Sequence, residues 1–245
     1  EDPMNSTGTL HLVYLNTDGT VKGSSKISPR QGAPNFPWEN NMNLGYHLTC
    51  VGDIDGDGTV DLIAEGKQSG EAKAFVMFLN PDGTLKGHNI IEPEDFVNKN
   101  SFDFVTVYND FKVRPIGDLD QDGVPDVVFG NDRYDGRFVG KAFITFLNKD
   151  GSVKDYKGLT NGTWDIPLNL TLYSHFGMDF CVTPDLNNDG IQDLLVSAYY
   201  ANGTGLVYLL YLNRDGSVND YIAIGPGQSN FQGDYGSGDF GWSVA

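Results

Sequence analysis

"GDIDGDGTVD", Gly52 to Asp61, places four carboxylates, Asp53, Asp55, Asp57 and Asp61, in ten residues, with Gly56 and Gly58 between them. Like charges this close repel one another, so the loop is either a solvated acidic turn or the seat of a cation. The stretch recurs. Asp118–Asp126 reads DLDQDGVPD and Asp185–Asp193 reads DLNNDGIQD, starting 65 residues after Asp53 and 67 after Asp118. A second signature keeps the same step: LNTDGTVK from Leu15, LNPDGTLK from Leu79, LNKDGSVK from Leu147 and LNRDGSVN from Leu212. Two motifs with one period make the chain an internal repeat.

The rest of each unit reads as strands. After each acidic loop comes a short apolar run, LIAEG, VVFGN or LLVSA, of the length and composition of a buried strand. Then come AKAFVMFLN, GKAFITFLN and GLVYLLYLN, rich in β-branched and aromatic residues. The Asp-Gly pair that follows marks a tight turn into a returning strand such as GTLKGHNII. Ahead of the loops, LGYHLTCVG and FGMDFCVTP supply one more strand. Nothing longer than a turn or two carries a 3.6-residue period. The expected fold is all-β: tandem four-stranded antiparallel blades of a β-propeller, an architecture that leaves only short, protected edges. Three repeats are complete and one is split. Residues 9–42 form the second half of a blade, 43–108, 109–174 and 175–230 form blades, and 231–245 form the first strand of a further one.

The loop spacing has a chemical reading. Positions 1, 3 and 5 turn oxygens inward, Gly at position 6 allows the sharp turn, position 7 offers its carbonyl and position 9 closes the cage. Hard oxygen ligands in this number suit Ca²⁺ better than Mg²⁺, which keeps more of its water. The expected ligands are Asp53, Asp55, Asp57, the Thr59 carbonyl and Asp61; Asp118, Asp120, Asp122, the Val124 carbonyl and Asp126; and Asp185, Asn187, Asp189, the Ile191 carbonyl and Asp193. That makes three Ca²⁺ sites, with the third expected to bind more weakly because Asn187 brings no charge. The loop resembles the first half of an EF-hand, but Ala64 sits at position 12, where that motif has a bidentate Glu, and strands flank it.

On these residues the unit resembles the FG-GAP repeat of integrin α-subunit propellers and of many secreted microbial proteins. The Phe-Gly element is present at Phe176–Gly177 and Phe240–Gly241, becomes Leu44–Gly45 in the first unit and is replaced by Asn109–Asp110 in the second. The Gly-Ala-Pro-like element is degenerate at Ala64–Gly66, Phe129–Asn131 and Ser197–Tyr199. The resemblance covers nearly the whole chain. It implies structural calcium sites on the propeller rim and a location outside the cell or at its surface. It names no ligand, since fold and function separate. Propellers of this family usually have seven blades, so three assemblies remain open: a small ring closed by the two terminal pieces, a fibre in which each chain completes its neighbour's split blade, or a part of a longer propeller.

Composition narrows the partners. A net charge of −17 leaves too few Lys and Arg to neutralise phosphates, which argues against nucleic acid. No apolar run is long enough for a helix to span a membrane. The chain opens on EDPM with no signal-peptide pattern and is expected to be processed or excised from something longer. Two cysteines exclude a disulfide framework and a Cys-based zinc site; Cys50 and Cys181 are expected as buried free thiols. Sequons at Asn5, Asn161, Asn169 and Asn202 are candidate glycosylation sites, barely more than composition alone would give. The motifs of the common hydrolase and nucleotide-binding classes do not occur. His11, His47, His88 and His175 share no ligand spacing and are expected as surface or strand residues. The leading expectation is a non-enzymatic, calcium-stabilised extracellular protein with an adhesive or structural role, whose partners are other protein chains, copies of itself among them. The alternative is a carbohydrate-binding or polysaccharide-acting propeller, with Trp38, Trp164, Tyr199 and Tyr200 as aromatics able to stack on glycans.

Overall fold

A computed structural model describes residues 6–33, 35–92, 95, 112–132, 138–159, 170–228, 231–232 and 239–245. Asn5, Asn161, Asn169, Trp164 and the Asn109–Asp110 pair lie outside the described residues. Among the described residues, fourteen strands form four antiparallel sheets in chain order. The first sheet has two strands, β1 (Leu10–Leu15) and β2 (Val21–Ile27). The second has β3 (Leu48–Gly52), β4 (Asp61–Gln68), β5 (Glu71–Leu79) and β6 (Leu85–Ile91). The third has β7 (Lys112–Gly117), β8 (Asp126–Asn131), β9 (Lys141–Leu147) and β10 (Val153–Leu159). The fourth has β11 (Phe176–Thr183), β12 (Asp193–Ala198), β13 (Leu206–Leu212) and β14 (Val218–Ile224). Each four-stranded sheet is a plain meander. The fold is all-β with tandem four-stranded antiparallel sheets, as the repeat predicts, and it is consistent with propeller blades.

Each apolar cluster lies between two successive sheets. Leu10, Ile27, Met42, Phe75 and Met77 bury against one another between the first and second sheets. Ile63, Val76, Val127, Phe129 and Phe143 do so between the second and third, and Ile144, Phe146, Phe180, Val196 and Leu210 between the third and fourth. The middle strands β4, β5, β8, β9, β12 and β13 are covered on both faces, which explains their near-continuous apolar runs. First strands sit side by side, β3 against β7 and β7 against β11, the relation that inner strands have around a propeller axis.

The four Asp-Gly hairpins are built alike. In the first, Asn16 N–H donates to the Thr20 carbonyl at 2.8 Å, and the Thr20 N–H and hydroxyl both donate to Asp18 Oδ1. Asp82 with Thr84, Asp150 with Ser152 and Asp215 with Ser217 repeat it. The sheets are stapled at the opposite end by backbone. Leu44, Phe176 and Phe240 each donate their N–H to the preceding sheet, to the Thr7, Val139 and Thr204 carbonyls at 2.9, 3.0 and 3.1 Å. Gly8, Gly140 and Gly205 lie beneath them with φ of +88°, +85° and +88°, and a Cβ there would come within 2.1 Å of the Leu44, Phe176 or Phe240 carbonyl oxygen. The Phe-Gly element is therefore the docking point of one sheet on the next.

Residues 239–245 carry no strand. The other first strands pair with a second strand of their own sheet, and this segment has none beside it among the described residues. It docks instead on the fourth sheet: the Ser197 hydroxyl donates to the Gly241 carbonyl, and Ser243 Oγ donates to Asp179 Oδ2 at 2.7 Å. The cysteines are a correction. Cys50 is exposed and Cys181 only half-buried. Cys50 faces the groove beside β1, where no strand among the described residues covers it.

Gly140 and Gly70 share a left-handed φ, +85° at both, but nothing lies within 4 Å of a Cβ at Gly70. Gly70→Ala should cost about 1 kcal/mol of backbone strain. Gly140→Ala adds a collision with the Phe176 backbone and should cost at least about 2 kcal/mol more. Urea unfolding of both variants at one calcium concentration checks the difference.

Candidate metal centre

The acidic loops connect the first and second strands of the three four-stranded sheets. Each loop winds on its own carboxylates. Asp53 Oδ1 accepts the Gly56 and Asp57 N–H groups at 2.8 and 3.0 Å, and its Oδ2 accepts Gly58 N–H at 2.7 Å. Asp55 Oδ1 accepts Asp57 N–H, and Asp57 Oδ1 accepts Thr59 N–H at 2.8 Å. Asp118, Asp120 and Asp122 repeat the pattern toward Asp122, Gly123 and Val124. Asp185, Asn187 and Asp189 repeat it toward Asp189, Gly190 and Ile191. Position 6 is left-handed in every copy, at Gly58, Gly123 and Gly190, which is why Gly stands there. Position 4 is left-handed too, yet Gln121 and Asn188 occupy it in the second and third loops at φ +62°.

Position 9 is a buried carboxylate. Asp61, Asp126 and Asp193 are 1%, 1% and 0% exposed. Asp61 Oδ2 accepts Ile54 N–H at 2.9 Å and its Oδ1 accepts Leu79 N–H at 3.1 Å, at the end of β5. Asp126 does the same with Leu119 and Leu147. Asp193 keeps the Leu186 bond at 2.8 Å, but its Oδ1 is buried without a hydrogen bond of normal geometry, although Leu212 N–H lies on that side. Burial raises all three acids above the ordinary carboxylate range, Asp126 to about 7.

Ligand oxygens of Asp53, Asp55 and Asp61 lie within 4.8 Å of one another, as do those of Asp118, Asp120 and Asp126. The third loop has Asn187 at position 3 and does not make a third such acidic triad among the described residues. Thr59, Val124 and Ile191 are held at position 7 by their N–H bonds to position 5.

Two residues not anticipated from the sequence complete the first two sites. Lys86 Nζ on β6 donates to Asp55 Oδ2 at 2.6 Å and to Asp57 Oδ2 at 2.5 Å. Lys154 Nζ on β10 donates to Asp120 Oδ2 and Asp122 Oδ2, both at 2.6 Å. These bonds hold Asp57 and Asp122 below the usual carboxylate range and raise both lysines. The ammonium groups occupy the carboxylate oxygens that the backbone leaves over, so each loop already seats a cation. Their hard oxygen donors, and the ammonium seated among them in the first two loops, fit a divalent cation. The signal in the sequence was the final Lys of LNPDGTLK and LNKDGSVK, read there only as part of a strand.

Of the histidines, His47 Nδ1 meets Glu65 Oε2 at 2.7 Å, and His175 Nδ1 meets Asp132 Oδ2 at 2.9 Å. His88 is half-buried against Phe36, and burial lowers its pKa. Trp38 packs on Phe36 and donates its Nε1–H to the Ala33 carbonyl at 3.1 Å, so it is a packing residue.

Residues 176–210, from the Phe-Gly element through the third acidic loop into β13, match the FG-GAP repeat family. The chain is also similar to integrin alpha-6 of Gallus gallus, 26% identical over 220 residues, and of Homo sapiens, 25% identical over 253. Those alignments take in 88% and 99% of this chain but only 18% and 20% of the integrins, so the chain spans about a fifth of the length of the curated relatives it matches. The similarity points to an integrin alpha-like, non-enzymatic family.

The raised acids set a pH dependence for the metal-depleted chain. Asp126 keeps its proton to about pH 7 when folded and releases it near 3.9 when unfolded. Between those values the folded state binds more protons, so stability falls as pH rises. Asp57 and Asp122, with lowered pKa values, lose their contribution only as the pH falls below the ordinary carboxylate range, outside that window. His88, its pKa lowered by burial, works in the opposite sense below about pH 6.5, so the test is made on His88→Gln: its melting temperature in chelator should be higher at pH 5.5 than at pH 7.5, and the reverse order contradicts the account.

Proposed function

We propose that the chain is a calcium-stabilised, non-enzymatic FG-GAP repeat module with an adhesive or structural role, working outside the cell or at its surface. Residues 43–108, 109–174 and 175–230 act as blades, 9–42 as the outer half of another and 231–245 as the entry to a further one. Each acidic loop binds one Ca²⁺. The observation that carries this reading is the pre-wound loop, repeated three times, with surplus carboxylate oxygens gathered on one side of a backbone held by its own side chains. Asn202, the one sequon asparagine among the described residues, is exposed in the turn Ala201–Gly203, where a glycan fits.

Assembly between copies is supported by the first sheet. Among the described residues β1 pairs only with β2, and no strand lies along its other edge. Beside it runs an apolar groove of about 470 Å³, lined by Leu12, Leu48, Cys50, Leu62 and Leu79. Lys22 holds the place that Lys86 and Lys154 hold in later hairpins, but it pairs with no acidic loop among the described residues. The edge suits a strand with an acidic loop, a unit this chain carries three times, so a second copy has the right chemistry.

With free calcium at a hundred times Kd, each site adds about 2.7 kcal/mol of stability, a rise of roughly 5–10 °C for a chain of this size. Thermal melts in calcium and in chelator check this, and coincident melts remove the calcium reading. Light scattering on the eluting chain checks assembly: a monomer at all concentrations, with and without calcium, removes that part alone.

One observation favours carbohydrate binding as a second reading. Tyr173, His175, Tyr199, Tyr200, Asp239 and Trp242 line an open cleft of about 550 Å³. Trp242 sits edge-on to Tyr199 at 4.6 Å and remains 54% exposed, the disposition of a ring able to stack on a sugar. A glycan array read with the parent chain and with Trp242→Ala decides it. Binding lost in the variant supports the cleft, and no bound glycan removes it.

A further inference from the structure

The three loops share one backbone and differ in what neutralises them. In the first two, four carboxylates face one lysine reaching over from the fourth strand. In the third, three carboxylates face Asn187, and Asn219 stands at the lysine position. Counting the loop acids and the lysine bonded to them, four acids with one lysine, or three acids with none, leave the same formal charge of −3; Lys149 Nζ also lies beside Gly56 and acts on Asp122. The hydrogen bonds explain why the two exchanges go together. Backbone N–H groups consume both oxygens of Asp53 and the Oδ1 atoms of Asp55 and Asp57. Asp55 Oδ2 and Asp57 Oδ2 are left, and Lys86 takes both. In the third loop the leftover oxygen is Asp189 Oδ2, and the Asn187 amide takes it at 2.7 Å. A neutral amide from within the loop thus replaces an ammonium from the neighbouring hairpin.

We propose that Lys86 and Lys154 are tethered counter-cations that compete with the metal. This rests on the reading of the loops as calcium sites. The lysines hold the first two loops together when calcium is scarce and lower their affinity for it, because the ion needs the same oxygens and meets the ammonium charge beside them. The third loop has no tethered cation among the described residues. Its missing carboxylate therefore does not make it the weakest site, contrary to what a count of ligand charges predicts.

The test is calcium titration by calorimetry at fixed ionic strength on the full chain, Lys86→Met/Lys154→Met and Asn219→Lys, each checked for folding by circular dichroism. Methionine keeps an unbranched, apolar side chain without the charge. The double variant should bind calcium about tenfold more tightly at two of its sites and melt at a lower temperature than the parent in chelator. A surface lysine with no role at the loop would move neither. Asn219→Lys should weaken one site and leave the others unchanged, and it decides alone should the double variant fail to fold. Calcium binding by the parent with no tightening in the double variant, or no weakening in Asn219→Lys, overturns the competition. No binding by the parent overturns the calcium reading, and the competition with it.

Discussion

The structure depends on a carboxylate buried at the end of each acidic loop. Asp61 receives one N–H from Ile54 within the loop and one from Leu79 at the end of β5, so a single side chain ties the loop to the sheet's third strand. Two backbone donors converge on it, which is why the residue must be Asp. An Asn would turn one of its own donors toward a donor, leaving a buried N–H without a partner. Burial raises the acid's pKa, so the charge is held at a desolvation cost. The other loop carboxylates gather on the outer side of this anchor, and each loop is a charge arrangement built around a fixed point.

The second constraint is close approach between sheets. Gly8, Gly140 and Gly205 let the backbone of the following sheet come down directly on them. That contact, together with the apolar layer between sheets, sets their spacing. A side chain at these positions would hold the sheets apart and open the layer, where Phe143, Phe176 and Phe180 are fully buried. Phe-Gly suits the partner position because Phe fills the layer while the following Gly accepts a left-handed turn; Gly177 has φ +86° and a Cβ there would meet the Lys141 carbonyl at 2.6 Å. Leu44 does the same filling in the first unit with a smaller side chain.

Most of the fold could be read in the sequence because two motifs with a common period fix the strand order. The acidic loop marks the connection from first to second strand, and Asn-x-Asp-Gly marks the connection from third to fourth. What could not be read involves residues far apart in the chain. Lys86 lies 31 residues from Asp55, and only the sheet brings them together, although the contrast between Lys86, Lys154 and Asn219 was visible as a substitution. The exposure of Cys50 was missed for a similar reason: a strand residue with an apolar neighbourhood was expected to be covered, and the strand that would cover it is not beside β1. Trp38 was a candidate for sugar stacking, but the ring is spent on Phe36 and Ala33. Trp242, next to the final Phe-Gly, is the one left outside.

The strand order also separates the chemistry of the two ends of the stack. Acidic loops and Asp-Gly hairpins both fall at one end, since each strand pair they join turns there. That end holds the loop carboxylates and also Asp18, Asp82, Asp150 and Asp215, whose hydrogen bonds to Thr or Ser keep them ionised. Much of the chain's negative charge is therefore concentrated on one face, and cations, whether ammonium or metal, are needed there to relieve repulsion. The opposite end carries the glycine staples, the Asn202 turn and the cleft around Trp242. A cation bound as proposed at the acidic end would leave this other end unoccupied.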